Sequence, residues 1–90
     1  MHALIELVPA REYNCHLWLS RNDDHPSPIY DIGWEVRITE EGKETRSKRF
    51  LVTELARARE EQENRAAAED HCLSLGSDLE QHGYKVELKA

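Results

Sequence analysis

The sequence predicts an α+β domain: a mostly antiparallel sheet of four to five strands in the order β-β-β-β-α-β, with one long or broken helix packed on one face. Three observations carry that expectation. Residues 31–40 alternate apolar and polar side chains, residues 54–82 lack proline and are rich in strong helix formers, and a second alternating stretch closes the chain at 84–89. Ninety residues suit a single domain, 1–90, because two independent cores need more chain.

Ala3 to Val8 is expected to form a strand, apolar apart from Glu6, which Pro9 ends by withholding a donor from the ladder. Arg11, Glu12 and Asn14 then make a turn. A second strand follows from Asn14 or Cys15 to Ser20, with Cys15, Leu17 and Leu19 on one face and His16, Trp18 and Ser20 on the other. Arg21 to Pro28 has no apolar residue and two prolines, so an exposed loop is predicted. In the next strand Ile32, Trp34, Val36 and Ile38 face inward, and Gly33, Glu35, Arg37 and Thr39 face outward. Glu41-Gly42-Lys43 supplies a turn in which Gly42 takes positive φ, and Glu44 to Val52 returns as the hairpin partner. Phe50 and Val52 share its inner face with Arg46 and Lys48. Its outer half is almost wholly polar, so the hairpin tip is expected to project into water.

Thr53 is the expected N-cap, and Glu54 suits the positive end of a helix dipole, so the helix is predicted to start there. Running on to His82 it would reach roughly 44 Å, against roughly 30 Å for a compact globule of this size. The helix therefore bends or breaks near Gly76, or rests its surplus length on a partner chain. A single bent helix is favoured, with the capping-box pattern Ser77-Asp78-Leu79-Glu80 marking where a second helix would begin. On the helical wheel Leu55, Ala58, Ala66 and Leu73 share one narrow face, while Cys72, Leu75 and Leu79 lie about 120° around from it. Gly83 caps the helix, and Tyr84, Val86 and Leu88 alternate with Lys85, Glu87 and Lys89 in the closing strand.

Leu, Ile, Val and Phe together number 19 of 90 residues, so the core is expected to be thin and a partner chain to help it. No run of about 18 apolar residues occurs, and the start lacks the basic and apolar stretches of a secretory signal; a cytoplasmic location is expected. The net charge of −6 opposes a phosphate backbone. Against it, Lys43, Arg46, Lys48, Arg49, Arg57 and Arg59 gather in one stretch with only Glu44 and Glu54 to balance them.

No catalytic, cofactor or metal site is expected, and an enzyme is the least favoured class. Gly33, Gly42, Gly76 and Gly83 lie too far apart for a phosphate-binding loop, and His2, His16, His25, His71 and His82 are scattered. Asp23-Asp24-His25 is a polar loop cluster without a third ligand nearby. Cys15 and Cys72 each adjoin a histidine, His16 and His71, but adjacent residues diverge on a strand or helix, so both cysteines are expected to be free thiols.

The expected function is a protein-interaction or regulatory module that self-associates as a homodimer. Trp18, Leu55, Ala58, Ala66 and Leu73 are the candidate interface. Trp18 is out of phase with the apolar face of its strand, and Arg57, Glu61, Arg65 and Glu69 form a charge ladder beside an alanine-lined seam. The alternative is a nucleic-acid-binding module that uses Lys43 to Arg59. Its basic hairpin strand, following Trp34 and Arg37 and followed by a helix, resembles in outline the small three-stranded readers that lay a sheet in the DNA major groove.

Overall fold

A computed structural model describes residues 1–14 and 29–90. Within them the chain forms β1 (His2–Asn14), β2 (Ile29–Glu40), β3 (Lys43–Thr53), α1 (Ala58–Gln81) and β4 (Lys85–Lys89). The strands make one sheet in the order β3-β2-β1-β4. β1, β2 and β3 pair antiparallel, and β4 runs parallel to β1 along His2–Glu6. The class is α+β, with the order β-β-β-α-β among the described residues. The strand expected over Cys15–Ser20 and the loop over Arg21–Pro28 lie outside them.

The period-two pattern of β2 sets the layers. Ile38 faces Ile5, Val36 faces Leu7 and Trp34 faces Phe50 across the ladders, so these side chains share the face that α1 covers. Ala68, Cys72, Gly76 and Leu79 are the buried residues of α1. With Ala3, Ile5, Leu7, Val36 and Ile38 they form the core, against which Trp34, Phe50, Leu75, Tyr84 and Val86 pack. The helix therefore buries the Cys72, Leu75 and Leu79 side of its wheel. The β2–β3 connection is a two-residue hairpin with Glu41 at φ 50° and Gly42 at φ 80°, the positive values a type I′ turn requires.

Three expectations are corrected. Pro9 does not end the first strand, which continues to Asn14. The Met1 carbonyl accepts from Lys85 N on the β4 side and the His2 carbonyl from Glu41 N on the β2 side, so the backbone groups of odd-numbered β1 residues point toward the lane of β4. β4 stops opposite Glu6, and at Pro9 that lane holds no strand among the described residues. A proline there forfeits no ladder bond.

The second correction concerns the helix start. Thr53 belongs to β3, and Glu54 is tied to Tyr30, with Glu54 N donating to its carbonyl at 2.9 Å and Tyr30 N donating to Glu54 Oε1 at 3.2 Å. A turn closed by Ala56 N on the Thr53 carbonyl follows, and Arg57 precedes the helix without a side-chain cap. In keeping with the favoured reading, α1 is one helix that runs on through Gly76. It ends where Gly83, at φ 86°, allows Tyr84 N to donate to the Leu79 carbonyl and Gly83 N to the Glu80 carbonyl.

The third correction is to shape. β1 and β2, of 13 and 12 residues, are each about 40 Å long, so a 24-residue helix of about 36 Å does not outreach the sheet.

Candidate functional site

An apolar groove of about 240 Å³ opens between α1, β1 and β4. Ile5 and Leu7 of β1 form its floor, Glu69, Cys72 and Leu73 its helix wall, and Leu88 and Lys89 its strand wall. Leu73 is 61% and Leu88 51% exposed, so two large apolar side chains stand in water on opposite walls. Cys72 is a free buried thiol whose pKa is raised by burial first and by the Glu69 charge second. Glu69 also takes a 3.0 Å bond from Arg65 one helical turn earlier.

Of the interface residues expected from sequence, Ala58, Ala66 and Leu73 are all exposed and share one flank of α1. Leu55 is exposed too, but it sits in the turn before the helix, so the wheel does not align it with the others. Trp18 lies outside the described residues. The alanine run divides: Ala66 and Ala67 face water and Ala68 is core.

The six basic residues of the 43–59 stretch do not form one surface. Arg46 and Lys48 lie on the α1 side of β3, where Arg46 bonds Glu40 at 3.3 Å and the Lys48 ammonium sits 5.1 Å from the Phe50 ring centroid. Arg49 points to the opposite face and binds both Glu35 and Glu12. Lys43 flanks the hairpin turn, Arg57 precedes α1, and Arg59 is paired with Glu63. The sum of charges read from the sequence is right, but strand alternation and helix phase disperse it. His71 tilts against the Phe50 ring, its pKa lowered by burial and then by Lys48 and Arg46.

On the face away from α1, Glu35 is only 6% exposed. It accepts from Arg37 Nε at 2.6 Å with one carboxylate oxygen and from Arg49 Nε at 3.1 Å with the other. Those side chains screen it from water, and the Arg37 bond, opposed by desolvation and helped by Arg49, holds its carboxyl below the usual value. This clip joins β2 to β3 and, through the 3.4 Å Arg49–Glu12 pair, to β1. The sequence signal for it was the outward pair Glu35 and Arg37 two residues apart; the third and fourth members come only from register. Among the described residues no group of three or more His, Cys, Asp or Glu could hold a metal ion, and no helix is long and apolar enough to cross a membrane.

No protein-family model matches the chain, and neither a curated protein nor a solved structure matches it at a significant level.

Proposed function

We propose that the chain is a protein-interaction module that self-associates as a homodimer. The observation that carries this reading is the pair Leu73 and Leu88, left largely exposed on the two walls of an apolar groove in a chain with few large aliphatic residues. Strand addition is a weaker route to association. The stretch of the β1 edge without a partner strand among the described residues is interrupted by Pro9, while β3 carries Lys43, Arg46, Lys48 and Arg49 and a register shift opposite Ile38/Thr39. That leaves the helix flank and groove as the contact.

Nucleic-acid binding draws less support, because Arg46, Arg49 and Arg59 are each engaged by a carboxylate and the charges are split between faces. Light scattering at about 100 μM protein tests the main reading: a mass near twice the 10.5 kDa chain is expected, and a mass near 10.5 kDa overturns it.

A further inference from the structure

The groove carries opposite charges on opposite walls, Glu69 on the helix side and Lys89 on the strand side, with Leu73 and Leu88 beside them. That pattern is self-complementary in one orientation. A two-fold axis running along the groove lays the helix wall of each copy on the strand wall of the other, so acid meets base and leucine meets leucine. An axis running across the groove would instead set Glu69 against Glu69 and Lys89 against Lys89. We propose, resting on the self-association reading above, that the occupant of this groove is a second copy of the chain related by an axis along it. Leu73 then packs against Leu88 of the partner subunit, and Glu69 faces Lys89 of the partner subunit.

The contact demands little of either copy beforehand. The Glu69–Arg65 pair is half exposed and within one helix, so sharing the carboxylate with a second cation costs little. Leu73 and Leu88 are already in water, and Ile5, Leu7 and Cys72 present an apolar floor beneath them. Each copy supplies both a protruding leucine wall and the groove that receives one, as a closed two-fold pair requires.

The test is sedimentation equilibrium on the whole chain and on four variants, with circular dichroism to confirm that each is folded. Leu73→Glu should abolish the dimer. Glu69→Lys and Lys89→Glu each bring like charges together and should weaken it about tenfold, while the combined swap should restore it to near the wild-type value. A wild-type dimer left intact by Leu73→Glu, or one unmoved by the single swaps or not rescued by the double, overturns this arrangement and leaves self-association standing. A folded wild-type chain that stays monomeric at about 100 μM overturns both.

Discussion

Gly33 and Gly76 differ in ways that backbone distances explain. A Cβ on Gly33, at φ 156°, would lie 2.1 Å from the Phe50 carbonyl oxygen and 2.8 Å from Asn64 Nδ2, the amide that binds that same carbonyl from α1. Gly33→Ala should therefore cost about 2 kcal/mol or more in a denaturant titration. On Gly76 the nearest atoms to a Cβ, on Val86 and Ile5, are 3.7 and 3.8 Å away, which is ordinary contact. Gly76→Ala should fit and raise stability by about 0.5–1 kcal/mol, because alanine is the better helix former. Neither outcome was legible in the sequence, where Gly33 is one more outward position and Gly76 a candidate helix break. The deciding atoms belong to β3, β1 and β4 and arrive only with the tertiary pairing. Glu35 has a pH signature of its own. Its folded pKa lies below the ordinary 4.5, so its stabilisation is present above that value and lost as pH falls through the folded one. Glu35→Gln should lower stability by about 1 kcal/mol at neutral pH, and the gap to wild type should close below about pH 4.5 in thermal melts.

At the scale of elements, β2 and the β2–β3 hairpin were fully legible, because alternation and a Glu-Gly turn are local signals. The start of the helix was not. Thr53 and Glu54 have the right chemistry for a cap, but Glu54 is drawn to both backbone groups of Tyr30, a residue 24 positions away in sequence. Pro9 misleads for a related reason: whether a proline breaks a strand depends on whether a partner strand lies on the side its nitrogen faces, and among the described residues β4 stops short of it. The same geometry gives Pro9 a use. From Leu7 onward it stands at an edge with no partner strand among the described residues, where a missing donor discourages pairing with other chains. Pro9→Val should leave the fold intact while increasing β-rich aggregation, followed by thioflavin fluorescence in a concentrated sample.

For the whole molecule, the expected mismatch between a long helix and a small globule disappears, because the sheet is itself elongated. The candidate interface therefore rests on exposed leucines and not on overhang. Composition was a poor guide to the basic stretch, whose charges strand alternation sends to both faces of the sheet. With a net charge of −6 and three of those six cations engaged, duplex DNA should not bind at about 150 mM salt. Micromolar binding in a salt titration, lost on changing Arg46, Lys48 and Arg49 to alanine, would contradict that.

The core that α1 covers lies toward the β4 end of the sheet, and Ile29, at the other end, is buried outside that cluster. There Tyr13 meets Tyr30 edge-on at 5.6 Å, and the Arg11 guanidinium stands 3.8 Å from the centroid of the Tyr30 ring. Among the described residues the strands thus join two regions, one holding the main apolar cluster and one carrying the Tyr13–Tyr30 rings and the buried Ile29. Hydrogen exchange should then be slowest at Ile5, Val36 and Ile38, which line the floor beneath α1, so that the groove keeps its shape when the ends of the strands open.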